Sequence, residues 1–544
     1  MIEKERADRL LALVSLFLGA LVVATTVYGV QHFYSSVIFW DEWDGYLGFY
    51  KRVLEGGGWH EWWQNHVDHR IITSRILFFI DLRYMRGDHI ILFAAQLAML
   101  GATVYLMTMG GSKESRPLAF GLGAALLFSW AQNEILKWGF ETQVIAAVFF
   151  TVWSVYVFCE TETPPLKRFA CAYLLAILAE FSMGSGLAAP VILVGATIVM
   201  RRPMREFVLT VIIAAALIAV YFIGFVKPEG PAPAAIAGSH IAGLAKFFFL
   251  AAANPLSQIE VSLRTCMIVG AITSIAAIGF SVWIWATKHV TRYRAFLICV
   301  IAFAYICVAM VTIGRSAGGL SQAILSRYTT APLLAWYALA LLAYDALPAP
   351  RRTFVIGGVL TLAAWTAVGQ QHVNDDNGYL FTRKIAILSN RIGLDQTDLL
   401  LQVYPQASPW RERFVADSAF GAEHKLGIYG EQWLQDAASV KFDASKVDGD
   451  CQGFVEHATR GEDGVLTVSG WMLADHRNTL VVLVDGKGET VGYGVTGAHR
   501  PDVSAKYGAR GRYAGWIGFA KTTDAAVVPY GYRDGRFCRV SAGA

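Results

Sequence analysis

Charged residues are scarce in this chain of 544 residues: Asp, Glu, Lys and Arg together make up 16%, whereas hydrophobic residues make up 55%. This balance excludes an ordinary soluble domain. The formal net charge is only +4, and a few basic loops account for it, so no nucleic-acid partner is predicted. The composition therefore indicates a polytopic membrane protein.

Cysteine is also sparse, with seven residues, and the sequence contains neither a paired-cysteine metal motif nor a glycine-rich phosphate-binding loop. These absences argue against a structural zinc site and a nucleotide-binding domain. Five cysteines lie in or beside apolar segments, where a free thiol behaves as a small hydrophobe. Only Cys451 and Cys538 lie in the polar tail, and they form a candidate disulfide if that tail is in an oxidising compartment.

Long hydrophobic runs recur through the first two thirds of the chain. They predict about eleven transmembrane helices, because each run can cross about 30 Å of hydrocarbon. The segments are 9–30, 89–109, 117–131, 143–160, 168–182, 186–200, 207–226, 263–286, 295–313, 330–346 and 354–370. The first is interpreted as a retained helix rather than a cleaved signal peptide, because no small-residue cleavage site follows it.

Basic residues predict the orientation of these segments. If the N-terminus is cytoplasmic, every second connection should carry an excess of Lys and Arg. Those connections contain Lys4, Arg6, Arg9, Lys113, Arg116, Lys167, Arg168, Arg201, Arg202, Arg205, Lys288, Arg292, Arg294, Arg351 and Arg352. The loops 31–88, 131–142, 183–186, 227–262 and 314–329, with everything after 371, are then outside, which for a protein of the bacterial inner membrane is the periplasm.

The composition changes after Gln370, where a polar tail begins. Residues 1–370 are predicted to form the transmembrane domain, and residues 371–447 a mainly helical segment with a break at Tyr404-Pro405. Alternating apolar residues from 448 to 544 predict a soluble β-sandwich. The stretches around Trp471, Arg500-Pro501-Asp502 and Trp516 are either a carbohydrate-binding face or the core and turns of that sandwich.

An acidic and aromatic cluster, Phe39-Trp40-Asp41-Glu42-Trp43-Asp44, follows the first apolar run. Carboxylates at the mouth of a membrane helix are costly near lipid, so they mark a candidate site. Asp41 and Glu42 would point about 100° apart on a helix, so that one can face a cavity while the other is paired. The alternative is an ordinary solvated helix N-terminus that favours acids.

Further polar groups lie in the outer loops. The stretch His66-Val67-Asp68-His69-Arg70 either supports the carboxylates or is a metal site. The connection 132–143 is either a simple turn or a sugar-binding loop, with the polar residues Asn133, Glu134, Lys137 and Glu141 beside aromatic rings. Arg315, after Gly314, and Arg327, before Tyr328, can hold a phosphate through forked donors or pair with acids.

The chain resembles the GT-C superfamily in three respects. It has many spans, an Asp-Glu pair opens its first outer loop, and further polar loops and a soluble C-terminal domain lie on the same side. Those proteins are integral-membrane glycosyltransferases that use polyprenyl-phosphate sugars, such as protein O-mannosyltransferases and the aminoarabinose transferases of lipid A. The resemblance covers about residues 1–370 and implies that Asp41 or Glu42 is catalytic. A Trp-Trp-Asp motif of oligosaccharyltransferases is absent, which argues against N-glycosylation.

The resulting hypothesis is an inverting glycosyltransferase at the periplasmic face. Its partners would be a polyprenyl-phosphate-linked sugar donor, a glycan or lipid-linked acceptor, and membrane lipids. Asp41 is the preferred base, with Glu42 as the alternative. Asp44 and His69 shape the pocket, and Arg315 and Arg327 bind the phosphate. The further substrate-binding candidates are His66, Arg70, Asn133, Glu134, Lys137, Glu141 and Tyr328. No cofactor is required, although a divalent metal is compatible with the site. Alternatives are a glycan polymerase or ligase with a lipid-diphosphate donor, a lipid or polysaccharide transporter, and a non-catalytic glycan-binding protein.

Overall fold

A computed structural model of the protein describes residues 2–162, 164–226, 241–394, 397–404, 410–474, 477–524 and 526–542. Part of the predicted outer loop 227–262, residues 227–240, and Pro405 of the predicted Tyr404-Pro405 break lie outside these ranges. The described chain is mostly helical up to Ser439 and forms β-strands from Val447 onward.

The α-helices up to residue 375 are α1 Ile2–His32, α2 Phe49–Arg52, α3 Gly58–Trp63, α4 Ile72–Tyr84, α5 Ile90–Met109, α6 Arg116–Leu127, α7 Asn133–Leu136, α8 Thr142–Cys159, α9 Pro165–Glu180, α10 Ala188–Val199, α11 Met204–Tyr221, α12 Ile241–Ala252, α13 Asn254–Ser257, α14 Leu263–Ala286, α15 Arg292–Arg315, α16 Thr330–Ala346 and α17 Ala349–Ala367. Those of the tail are α18 Gly378–Arg391, α19 Thr397–Leu400, α20 Trp410–His424, α21 Gln432–Ser439 and α22 Pro501–Tyr507. The strands are β1 Val447–Arg460, β2 Leu466–Met472, β3 Leu480–Val484, β4 Thr490–Ala498, β5 Gly515–Ala520, β6 Val528–Arg533 and β7 Arg536–Ala542.

Seven helical segments within the described ranges are long and apolar enough to cross a membrane. They are Arg9–His32, Ile90–Met109, Gly139–Cys159, Met204–Tyr221, Leu263–Ala286, Arg292–Gly318 and Arg351–Asn374. Each coincides with a predicted span. This part of the chain has the character of a multi-pass membrane protein.

The other four predicted spans are also helical but shorter. They correspond to α6, α9, α10 and α16, which have 12 to 17 residues. The count of about eleven spans is therefore not confirmed. Helix α6 shows how the difference arises: most of its residues are buried by protein, so hydrophobicity there reflects packing between helices and does not require full crossing length.

The C-terminal strands form a closed barrel in the order β1-β2-β5-β4-β3-β6-β7. All neighbours are antiparallel except β1 and β7, whose parallel pairing closes the sheet. Residues from the strands that were expected to form two sheets therefore surround one core, which includes Val468, Val481 and Trp516. The sandwich prediction is corrected to a barrel, because alternation identifies strands but does not reveal the pairing of the first with the last. The Cys451–Cys538 disulfide joins these same two strands.

The chain folds into two compact units that do not follow the order of the sequence. The first unit contains residues 1–34, 57–79 and 90–375, and the second contains residues 35–56, 80–89 and 376–544. The acidic segment after α1 therefore belongs to the same unit as the tail helices and the barrel.

Candidate functional site

The acidic cluster of the second unit is a tight turn with a strained entry. The Phe39 N–H donates to Glu42 Oε2 at 2.8 Å, and the Trp43 N–H donates to the Trp40 carbonyl at 3.1 Å. Trp40 has φ +50°, in the left-handed region that is costly for a large side chain. A π-helical stretch, Trp43–Gly48, follows directly. Strained residues and π-helical turns are concentrated at functional sites.

The two adjacent acids of this turn lie in different environments. Glu42 is only 1% exposed, and its Oε1 lies 3.8 Å from His89 Nε2. Asp41 is half-buried, and its backbone carbonyl accepts the Gly45 N–H at 2.7 Å. The buried Glu42 carboxylate thus stabilises the turn by accepting the Phe39 N–H, whereas the neighbouring Asp41 is partly accessible to solvent.

A buried polar network lies near Glu42. The Tyr46 hydroxyl donates to Asp81 Oδ2 at 2.5 Å, and the His89 N–H donates to the same oxygen at 3.2 Å. Burial raises the pKa of Asp81, although His89 and Tyr46 oppose the rise. The Arg383 guanidinium stacks 3.4 Å from the centre of the Phe39 ring. Sequence reasoning missed this network; the one available signal was an acid, Asp81, directly after the apolar run Ile76–Ile80.

Asp44 belongs to a neighbouring group of mixed charge. Its Oδ1 lies 3.4 Å from Arg52 Nη1 and 3.7 Å from Arg413 Nη1. Asp417, on α20, is 8% exposed, and burial raises its pKa to about 7 despite the nearby cations. The sequence offered no reason to join α20 to the acidic turn.

In the first unit, a two-residue turn carries Asp68. His66 and His69 exchange backbone hydrogen bonds of 2.7 and 2.9 Å, and Val67 between them has φ +50°, which is unusual for a β-branched residue. Asp68 Oδ1 lies 3.1 Å from His69 Nε2, and Asp68 Oδ2 lies 3.7 Å from Arg315 Nη2. Burial lowers the pKa of His69, and Asp68 partly opposes this. The structure thus brings His66, His69 and Arg315 together around Asp68.

The Met183-Gly184-Ser185-Gly186 break between α9 and α10 has a packing cause. A Cβ atom on Gly184 would lie 2.5 Å from His69 Nδ1, and one on Gly186 would lie 1.8 Å from the Ala179 carbonyl oxygen. Glu180, at the end of α9, is fully buried. Neither of its carboxylate oxygens has a hydrogen-bond partner among the described residues.

Arg70, predicted to bind the substrate, is engaged by the protein itself. Its Nε donates to the Tyr221 carbonyl at 2.5 Å, and its Nη2 donates to the Ile223 carbonyl at 2.6 Å. The guanidinium also stacks 4.4 Å from the centre of the Trp63 ring. A buried cation that binds the last carbonyl of α11, at Tyr221, and that of Ile223 just beyond it stabilises that helix end.

The two outer connections predicted to bind sugar and phosphate are joined to each other. The Ser326 hydroxyl donates to the Ala131 carbonyl at 2.8 Å, and the Glu134 N–H donates to the Ser326 oxygen at 3.3 Å. The Arg327 N–H donates to Glu134 Oε2 at 3.2 Å. Segments separated by almost two hundred residues therefore form one surface, held by backbone and side-chain hydrogen bonds.

Two acidic side chains of these connections act on Arg327. Its guanidinium carbon lies 5.5 Å from the centre of the Tyr328 ring, and Glu134 and Glu141 interact with it electrostatically. Lys137 Nζ lies 4.6 Å from the centre of the Phe33 ring. Asn133 begins the short helix α7 and is half-buried.

The predicted site residues are thus divided between the units. Asp41, Glu42 and Asp44 belong to the second unit, and His66, His69, Arg70, Asn133, Glu134, Lys137, Glu141, Arg315, Arg327 and Tyr328 belong to the first. A composite site that combines both sets stays a prediction. In the described ranges, no three His, Cys, Asp or Glu side chains are grouped so that they could hold a metal ion, so the metal interpretation of His66-Val67-Asp68-His69 gains no support.

Comparison of the chain with protein-family models, with characterised proteins and with solved structures gives no match. Its own residues therefore have to carry any functional argument. Three features do so: a strained acidic turn, a strained Asp68 turn with Arg315, and the hydrogen-bonded connections around Arg327.

Proposed function

We propose that this protein is an inverting glycosyltransferase, of the kind represented by the GT-C superfamily, that uses a polyprenyl-phosphate sugar. The acceptor would be a periplasmic glycan or a lipid-linked molecule of the cell envelope. In this proposal the chain crosses the bacterial inner membrane about eleven times, with the N-terminus in the cytoplasm and the acidic turn and barrel in the periplasm. The alternation of basic loops supports that orientation.

The observation that carries the proposal is the difference between Asp41 and Glu42. Glu42 is buried and stabilises the turn through the Phe39 N–H. Asp41 is half-buried and follows a residue with strained backbone. A general base needs a carboxylate that an acceptor can reach and that is held in a fixed position. The half-buried Asp41, whose backbone carbonyl is held by the Gly45 N–H, fits these requirements better than the buried Glu42, so we assign the base to Asp41.

The proposed reaction is a single displacement. Asp41 takes the proton of an acceptor hydroxyl, and the hydroxyl oxygen attacks the anomeric carbon of the sugar. The bond from that carbon to the phosphate oxygen breaks, and its electron pair leaves with the polyprenyl phosphate. Because attack and departure occur on opposite faces, the anomeric configuration is inverted.

The leaving phosphate needs cationic or hydrogen-bonding partners. The Arg315 side chain is 47% exposed, and among the described residues its ion pair is a long one, 3.7 Å, to Asp68, so it can turn to a phosphate. Arg327 Nε is buried without a hydrogen-bond partner among the described residues. Arginine binds phosphate through a planar fork, and both residues are proposed for this role. Arg70 is left out of the proposed site because backbone carbonyls occupy its guanidinium.

The proposal is tested by mass spectrometry of lipids that copurify with the protein, combined with donor consumption in membranes. Wild-type protein should retain a polyprenyl-phosphate sugar and release polyprenyl phosphate. Asp41→Asn should slow release about 10²–10⁴-fold while retaining the donor. Glu55→Gln, an exposed acid of the same segment, is the control and should be unaffected. Wild-type turnover in Asp41→Asn would refute the assignment, and a copurified lipid diphosphate would indicate a polymerase or ligase instead.

One observation favours a second candidate, a transporter. Glu180 is fully buried, and neither carboxylate oxygen has a hydrogen-bond partner in the described chain. Ionisable residues buried in membrane segments are often on transport routes. Glu180→Gln should then abolish substrate movement into proteoliposomes. Under the transferase proposal, the same variant should leave donor consumption intact.

A further inference from the structure

The two tryptophans singled out in the barrel have opposite surroundings. Along β2 buried residues alternate with half-exposed ones, and Trp471 is on the half-exposed, outer side. Trp516 on β5 is 1% exposed and lies in the barrel core. Trp516 therefore has a packing role, whereas the packing of the core does not explain Trp471.

Trp471 is the centre of an outward-facing group of aromatic rings. In the strand register it is paired with Phe454 of β1 on one side and with Gly515 of β5 on the other. The ring centres of Trp471 and Phe454 are 5.4 Å apart, and those of Trp471 and Tyr507 of α22 are 5.6 Å apart. All three aromatic residues are half-exposed. We call Phe454, Trp471 and Tyr507 the aromatic ledge.

An ordered charged group lies on the same side of the barrel. Arg500 donates to both carboxylate oxygens of Glu456, each at 2.7 Å, and to both of Asp502, at 2.8 and 2.6 Å. A Cβ atom on Gly515 would lie 3.0 Å from Arg500 Cγ. The absence of a side chain at Gly515, the register partner of Trp471, therefore allows the Arg500 stem to pass close to the ledge.

The hydrogen bonds from Arg500 orient the Glu456 and Asp502 carboxylates but do not use all of their acceptor capacity. Each ionised carboxylate can accept about four hydrogen bonds, and the Glu456 and Asp502 side chains are 27% and 61% exposed. Arg500 forms ion pairs with both acids, so this group offers hydrogen-bond acceptors to a ligand and not an unpaired cation. Trp471 is half-exposed, and its indole N–H has no hydrogen-bond partner in the described chain, so it can donate to a ligand.

We propose that the aromatic ledge, with Glu456, Arg500 and Asp502, is a binding site for a neutral pyranose glycan. The C–H faces of a pyranose ring stack on aromatic rings, and its neighbouring hydroxyls donate to oriented carboxylates. A phosphate-bearing ligand would require the free cation that this site lacks. Binding at the ledge does not depend on transfer, so this site adds a glycan-holding function to the proposed enzyme.

The test uses the full-length protein in nanodiscs and measures binding of soluble mannan, dextran and arabinogalactan by biolayer interferometry. Wild-type protein should bind at least one of them saturably. Trp471→Ala and Tyr507→Ala should each weaken that binding about tenfold or more, and Glu456→Gln should weaken it without removing a ring. Tyr532→Ala, a half-exposed barrel tyrosine packed on Phe537, is the matched control and should bind normally.

The outcomes separate this site from the transferase proposal. Asp41→Asn should bind the polysaccharide as the wild type does, even if donor consumption is lost. Because Trp471→Ala could disturb the barrel, Tyr507→Ala on the short helix α22 provides the second measurement. Failure of the wild type to bind any of the three polysaccharides, or equal binding by Trp471→Ala, Tyr507→Ala and Tyr532→Ala, would overturn the proposal.

Discussion

Replacement of Glu42 distinguishes a stabilising acid from a catalytic one. Glu42 is 1% exposed and accepts the Phe39 N–H at 2.8 Å. Hydrogen bonds to a charged group contribute about 1.5–3 kcal/mol, and Glu42→Ala also leaves the partly buried Phe39 N–H without its acceptor. We therefore expect Glu42→Ala to lose about 3 kcal/mol. Glu42→Gln, which keeps a neutral acceptor of the same shape, should lose about 1 kcal/mol.

The assay is thermal unfolding of the purified full-length protein, followed in parallel with donor consumption. A change of 1 kcal/mol shifts the melting temperature of a unit of 150–250 residues by about 2–4 °C. Glu42→Gln should therefore melt about 2–4 °C lower, Glu42→Ala about 6–12 °C lower, and Asp41→Asn close to the wild type.

Activity should show the opposite order. The folded Glu42→Gln variant should retain turnover within about tenfold of the wild type, whereas Asp41→Asn should lose about 10²–10⁴-fold. If Glu42→Gln melted like the wild type but had no activity, while Asp41→Asn remained active, the assignment of the two acids would be reversed.

Three further predictions concern stability. The folded-state pKa of Asp417 is about 7, above its ordinary value of 3.8. Because the folded state binds more protons between these pH values, wild-type stability should fall as pH rises from 4 to 7, and Asp417→Asn should remove up to about 4 kcal/mol of this fall. The variant should therefore show a flatter profile of melting temperature against pH, and an unchanged slope would contradict this prediction. Replacing Cys451 and Cys538, which are 87 residues apart in sequence, with serine should lower the free energy of unfolding of the barrel by about 4 kcal/mol. Urea unfolding measures this loss against the disulfide-bonded wild type, and the reduced wild type should unfold like the variant. Val67→Asn should relieve the left-handed backbone strain and raise stability by about 1 kcal/mol, measured by thermal unfolding; unchanged or lower stability would show that Val67 is not strained.

The helical part of the fold was predictable where hydrophobicity alone determines it. The seven segments of crossing length coincide with predicted spans because a run of about 20 apolar residues has few alternatives in water or lipid. The limits of the shorter helices depended on close contacts instead. Helix α10, for example, begins after a turn in which Gly184 and Gly186 approach other parts of the chain too closely for any Cβ atom.

The candidate site was predictable in residue type and not in role. Asp41 and Glu42 are adjacent and chemically alike, so their separation into half-buried and buried acids depends on His89, which comes from another part of the chain. Arg70 lies in a polar loop and was predicted to bind the substrate, but its guanidinium binds the carbonyls of Tyr221 and Ile223. Such roles depend on contacts between distant residues, which composition and spacing do not reveal.

The membership of the acidic turn in the second unit has a consequence for biosynthesis. Residues 35–56 and 80–89 leave the ribosome early, but the tail segments that complete their unit begin at residue 376. The Ile428 N–H, for instance, donates to the Ser36 carbonyl at 3.0 Å. At about 5–20 residues per second, roughly 20–70 s separate synthesis of residue 89 from synthesis of residue 430. The acidic turn can therefore reach its final conformation only after the tail segments have been synthesised. A protein truncated at residue 375 would contain the Asp41-Glu42 pair but would lack the tail segments that pack with it.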